Sequence, residues 1–128
     1  DLETIIKQSD IITLHVPATP ETTKLFSERE FEMMKDTAVI VNVARGPVID
    51  QKALYKALKE KKIAGAALDV FEVEPTSKDN PLFELDNLVV LPHSAAETYE
   101  TYQAVGIATA QAIIDVYNGK DPINWLNK

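Results

Sequence analysis

Cysteine is absent from the 128 residues. That absence removes disulfide scaffolds, thiolate metal sites and cysteine nucleophiles together, and it accords with a reducing compartment, so the cytoplasm is the expected location. Glycine is scarce as well: the four are Gly46, Gly65, Gly106 and Gly119, and no two are close enough to form a Gly-x-Gly phosphate loop. No apolar run approaches the roughly 20 residues that span a bilayer, and the opening DLETIIKQSD lacks the basic and apolar parts of a secretory signal, so no membrane partner is expected. Basic residues are outnumbered, 13 Lys plus Arg against 20 Asp plus Glu, for a formal charge of −7. Nucleic acid is not an expected partner, because affinity for phosphate backbones comes mostly from Lys and Arg releasing counterions. His and carboxylates nowhere stand at a zinc-like spacing, so no metal is expected.

What the chain does hold is apolar: 45% of residues are hydrophobic, enough for a packed core without staples. Four runs read as buried strands: DIITLHV (10–16), TAVIVNV (37–43), AGAALDV (64–70) and NLVVLP (87–92). Their near-continuous apolar character is that of strands in a parallel sheet covered on both faces. Twenty residues separate the first run from the second and twenty the second from the third, room for the crossover that parallel pairing requires. In the first gap Ser27 and Glu30 form a capping box with Phe26 and Phe31 as its hydrophobic staple, which predicts a short helix. In the second, Asp50 caps a helix whose inner face is Ala53, Leu54, Ala57 and Leu58. Residues 71–86, with Pro75 and Pro81, read as an irregular loop. A helix of about six turns is predicted from 97 to 118 with Gly119 as its stop, followed by an apolar Ile123, Trp125, Leu126 cluster. The chain opens without Met, on a Leu2, Ile5, Ile6 pattern that reads as the last turns of a helix already under way, so a longer parent chain is expected. The class is α/β with a mainly parallel sheet and flanking helices.

In such a sheet ligands bind beyond the carboxyl ends of the strands, which directs attention to Val16 and Pro17, to Ala44 and Arg45, to Asp69 and Glu74, and to His93. Arg offers a planar fork that grips a carboxylate bidentately. A carboxylate hydrogen-bonded to imidazole favours the charged imidazolium and fixes the ring, which makes a usable acid. Together Arg45, Glu74 and His93 suit reduction of a 2-keto acid: Arg45 anchors the carboxylate, His93 protonates the carbonyl oxygen, and the hydride comes from a cofactor. Each residue has a plainer reading too. Arg45 could be a surface loop residue, His93 a cap, and Asp69 a partner for loop amides; Glu72 competes with Glu74. His15, inside a strand, reads as structural, and Tyr99, Tyr102 and Tyr117, at helical spacing, as packing.

The segments SDIITLHVPATPET, NVARGPVIDQKAL, AALDVFEVEP and LPHSA, in that order, resemble the D-isomer-specific 2-hydroxyacid dehydrogenases, the family of D-lactate, D-glycerate and 3-phosphoglycerate dehydrogenases. The resemblance covers essentially the whole chain. It implies a partial Rossmann-like, doubly wound fold, with residues 1–94 as the C-terminal half of the NAD-binding domain and 95–128 as a long helix and tail returning towards a substrate domain. It implies Arg45, Glu74 and His93 as the catalytic set, and NAD as the cofactor with NADP left open. Val16, Pro17 and Thr22 would line its adenosine and pyrophosphate side, and Val43 and Ala44 its nicotinamide ribose. Arg45, Asp69 and His93 would lie near the nicotinamide ring. The substrate would be a small 2-keto or 2-hydroxy acid.

Two departures stand out. Ser94, Ala95 and Ala96 follow the His where many members have a Gly-rich segment. The family's first βαβ unit, with its G-x-G-x-x-G turn and acidic ribose ligand, has no counterpart here. The 128 residues alone are therefore expected to be inactive, and their uncovered helix to self-associate. The alternative within the same family is a non-catalytic, nucleotide-sensing module of the corepressor type.

Overall fold

Four parallel strands, β1 (Ile11–Leu14), β2 (Val39–Asn42), β3 (Gly65–Leu68) and β4 (Leu88–Val90), lie side by side in chain order in a computed structural model that describes residues 1–125. Each is shorter than its apolar run, because pairing stops where the chain turns off the sheet while burial continues: Val70, two residues beyond β3, is still 1% exposed. The register aligns Ile12 with Ile40 and Ala66, and Leu14 with Asn42 and Leu68, so these six share one buried face. The other face differs from expectation. Ile11 and Val89 on it are 69% and 64% exposed, so the two-sided apolar pattern exceeds the cover that the sheet receives.

Three helices meet the buried face: α1 (Leu2–Gln8), α2 (Glu28–Met33) and α3 (Gln51–Lys59). Ile6, Phe31, Leu54, Ala57 and Leu58 from these helices join the strand residues in one core cluster. Local chemistry sets where each begins. The Asp1 carboxylate accepts the Thr4 N–H at 2.8 Å across the first turn of α1. Glu30 reaches back to the Ser27 N–H at 3.1 Å, and the Phe26 and Phe31 rings lie 6.1 Å apart, completing box and staple at α2. Asp50 accepts the N–H groups of Lys52 and Ala53, while Lys56 and Lys59 occupy the last turn of α3, where the helix dipole favours cations. The stretch 71–86 is not wholly irregular. A 3₁₀ turn, Pro81–Glu84, is started by the Asn80 side chain accepting from the Leu82 N–H at 3.1 Å, and it buries Leu82.

The chain separates into two compact units, Asp1–Ser94 and a second that starts at Ala95. The second is built on α4 (Tyr99–Tyr117), capped by Thr98 and followed by Gly119 at φ 69°, the left-handed conformation that ends helices. None of its residues is buried. Tyr99, Tyr102 and Tyr117, expected to pack, are exposed. Of the tail cluster, Ile123 is exposed, Trp125 is 43% exposed, and Leu126 lies outside the described residues. No helix among the described residues is long and apolar enough to cross a membrane.

Candidate active site

Because all four strands run the same way, the loops at their carboxyl ends gather along one rim. The first two are tied together. The Lys24 N–H donates to the Pro47 carbonyl at 2.8 Å and the Phe26 N–H to Val48 at 3.1 Å, joining the stretch after β1 to the stretch after β2. Lys24 also pairs with Asp50 at 2.8 Å. Thr22 shapes the first loop from within: its hydroxyl donates to the Pro17 carbonyl at 2.6 Å and accepts the Thr19 N–H at 2.8 Å. Val16 is half-buried beside it, and Pro17 is exposed. His15 falls one residue past β1, not inside it, and is exposed with its Nε2 2.9 Å from the Thr13 hydroxyl.

After β2 the chain passes through Val43 and Ala44 to Arg45, whose extended backbone leads into a single 3₁₀ turn, Gly46–Val48. The Arg45 side chain is exposed at the rim, and its Nη1 donates to the Ala44 carbonyl at 2.7 Å. Beneath it lies Asn42, 1% exposed, with its amide oxygen accepting the Ala44 N–H and its amide nitrogen donating to the Arg45 carbonyl, both at 3.0 Å. Gly46 is required by a close approach: a β-carbon there would sit 1.8 Å from the Phe71 carbonyl oxygen. The loop that carries Arg45 thus rests on the loop that follows β3.

That third loop supplies Glu74. One carboxylate oxygen accepts the Phe71 N–H at 2.8 Å; the other is 2.7 Å from His93 Nδ1. The Phe71 N–H, the hydrogen bond to His93, and the positive charges of His93 and Arg45 hold Glu74 below its ordinary carboxylate value. Glu72, its competitor, accepts the Gln51 N–H at 3.0 Å instead, and so belongs to the start of α3. His93 adopts φ 58°, and the next residue, Ser94, donates its N–H to the buried Asp69 carboxylate at 2.8 Å. Asp69, Phe71, Phe83, Pro92, Glu74 and His93 border a cavity of about 390 Å³.

The structure therefore brings Glu74 and His93 into contact, sets Arg45 close enough for its charge to act on Glu74, and ties Asp69 to the residue after His93. With Nδ1 engaged by Glu74, Nε2 is the ring nitrogen of His93 left outside this contact. Sequence reasoning missed Asn42. The available signal was a polar residue at the end of an otherwise apolar run. No group of three or more potential metal ligands occurs among the described residues.

The rim fits one end of a nicotinamide dinucleotide. Val16 and Val43, each half-buried, provide apolar surface, and Arg45 and His93 provide donors, while the Ala44 side chain is buried in the core. The glycine-rich turn and helix N-terminus on which a pyrophosphate rests are missing from the sequence.

The chain belongs to the family described as D-isomer specific 2-hydroxyacid dehydrogenase, NAD binding domain, whose profile matches residues 1–95. A glyoxylate reductase of Thermofilum pendens is 48% identical over 128 residues, all of this chain and 38% of that protein. A D-3-phosphoglycerate dehydrogenase of Archaeoglobus fulgidus is 48% identical over 127 residues, 99% of this chain and 24% of its own length. Among solved structures, the NAD-complexed D-isomer specific 2-hydroxyacid dehydrogenase of Lactobacillus delbrueckii ssp. bulgaricus superposes with a TM-score of 0.91 at 29% identity, over 98% of this chain and 42% of that one. The chain thus spans well under half the length of these relatives.

Proposed function

We propose that this chain is the C-terminal portion of an NAD-dependent oxidoreductase that interconverts small 2-keto acids and D-2-hydroxy acids. A nicotinamide cofactor, when bound, would supply or take the hydride. The chain's own residues do the rest. Arg45 grips the substrate carboxylate with its guanidinium fork, and the free ring nitrogen of His93 gives a proton to the carbonyl oxygen or takes it back from the hydroxyl. Glu74 holds the ring through Nδ1 and stabilises its protonated form. Asp69 would lie at the nicotinamide end, Val43 and Ala44 along its ribose, and Val16, Pro17 and Thr22 on the adenosine and pyrophosphate side. The observation that carries the reading is the 2.7 Å Glu74–His93 contact beside the Arg45 loop.

The names of the relatives suggest glyoxylate as the first substrate to try. The nucleotide-sensing corepressor reading has no observation in its favour. The deciding experiment is steady-state reduction of glyoxylate and pyruvate with NADH by the full-length enzyme. Removing His93 (His93→Ala) should lower the rate about 100- to 10,000-fold, and Arg45→Ala should chiefly raise KM for the acid. Equal rates in wild type and variants would sink the catalytic reading. The 128 residues alone should turn over neither substrate, since they lack the pyrophosphate turn.

A further inference from the structure

Asn42 ends β2 at the point where the chain leaves the ladder, so Ala44 and Arg45 must satisfy their backbone groups elsewhere. It is one of two buried polar residues among the described residues, Asp69 being the other. Its amide is used at both ends: the oxygen takes the Ala44 N–H and the nitrogen gives to the Arg45 carbonyl, each at 3.0 Å. A single planar group thereby ties the 43–44 and 45–46 peptide units, one on each side of the Ala44–Arg45 pair. The Arg45 carbonyl also accepts from Val48 at 3.2 Å, which binds the loop to the start of its 3₁₀ turn.

The next residue fixes the loop from the other side. Gly46 lies so close to the 71–72 backbone that a β-carbon would come within 1.8 Å of the Phe71 carbonyl oxygen and 2.5 Å of the Glu72 nitrogen. The Phe71 N–H in turn is held by Glu74, which contacts His93. From Asn42 to His93 the connection runs through short backbone contacts and hydrogen bonds, with no long side chain in between except Glu74 itself.

We infer that Asn42 is a positioning residue for the reaction proposed above: its two-ended amide bridge sets where the Arg45 guanidinium stands relative to the Glu74–His93 pair, while Gly46 supplies the close seat for that loop. The inference rests on the assignment of Arg45 as the carboxylate anchor. Asn42→Leu keeps the branched shape at somewhat larger volume and loses both bonds. Asp keeps an acceptor for the Ala44 N–H and faces the Arg45 carbonyl with a second oxygen, so it breaks one bond only. A misplacement of about 1 Å at an anchoring group costs on the order of 100-fold in rate.

The test is a double-mutant cycle in the full-length enzyme with glyoxylate and NADH, using Asn42→Leu, Asn42→Asp and Arg45→Ala. In the wild-type background both Asn42 variants should lower kcat/KM roughly 10- to 100-fold, with most of the change in KM for the acid, as expected when an anchor is displaced. In the Arg45→Ala background the same substitutions should cost less than about 3-fold, because the group they place is gone. Asn42→Asp covers the case in which Asn42→Leu fails to fold. Equal losses in both backgrounds would overturn the positioning role and leave Asn42 a structural residue. A wild-type enzyme that reduces no 2-keto acid would instead bring down the catalytic reading, and this role with it.

Discussion

Helix α3 has nine residues and buries Leu54, Ala57 and Leu58; α4 has nineteen and buries none. The difference lies in composition as much as in setting. α3 sets its lysines and glutamine apart from an apolar stripe. α4 carries only Glu100 and Asp115 as charges and shows Val105, Ile107, Ile113, Ile114 and Val116 at more than half exposure around its surface. A helix apolar on most sides belongs inside something larger. Unit 1 thus contains the means of its own stability, whereas α4 carries a surface meant for cover that its own unit does not supply. We propose that in the isolated chain a second copy supplies it.

The largest break between the two regions should come from emptying the core under α3. Leu54 is fully buried, so Leu54→Ala should destabilise the chain by about 2–5 kcal/mol, read as a lower urea midpoint at unchanged slope. A cost below about 1 kcal/mol would mean that α3 is not the anchor described.

A smaller effect is expected at the cap. Asp50→Ala removes two accepted N–H bonds and the ion pair with Lys24, for about 1 kcal/mol. It should also change the acid limb of stability. Asp50 is held below its ordinary 3.8, first by the bond from Lys24 and then by the α3 amides that it accepts; Glu30 is held below its ordinary 4.5, with hydrogen bonds to Ser27 outweighing burial, the largest single influence. For groups lowered in the folded state, the added stability is fully present above those ordinary values and is lost as pH falls through the lower folded ones. Thermal melts should therefore hold steady from neutrality down to about pH 5 and fall below it, and the Asp50→Ala variant should fall less. An acid limb as steep in the variant as in the parent would contradict the cap.

The smallest stability effect is expected in α4. The double variant Ile113→Lys, Val116→Lys should shift chemical stability by less than about 0.5 kcal/mol, yet convert a concentration-dependent oligomer to monomer in size-exclusion chromatography with light scattering. A parent chain that is monomeric across the same concentrations would remove the case for self-association.

Much of this architecture could be read from the residues. The strand runs, the Ser27–Glu30 box and the Asp50 cap each leave a local mark, either a period or a cap spacing, whereas the Glu74–His93 pairing follows from the family resemblance. What escaped depends on contacts between distant segments. The apolar runs extend past the paired residues because Ala38 and Val70 are buried outside the ladder, and composition reports burial, not pairing. The 3₁₀ turn at Pro81 was hidden in a proline-containing loop, although the Asn-Pro pair that starts it was in view. Gly46 could be seen as a loop residue, but nothing nearby in sequence announces that Phe71 lies against it. Asn42 is a polar residue in an apolar run, and only the fold shows that both ends of its amide are occupied.

His93 stands at φ 58°, in the left-handed region where a side chain bearing a β-carbon strains the backbone by about 1–3 kcal/mol and where glycine sits freely. The proposed proton donor therefore occupies a place that thermal hardening alone would hand to another amino acid. A lineage bred only for heat tolerance would be expected to surrender its chemistry at this peptide unit before it gave up any of its interior, so durability and reactivity are opposed at a single torsion.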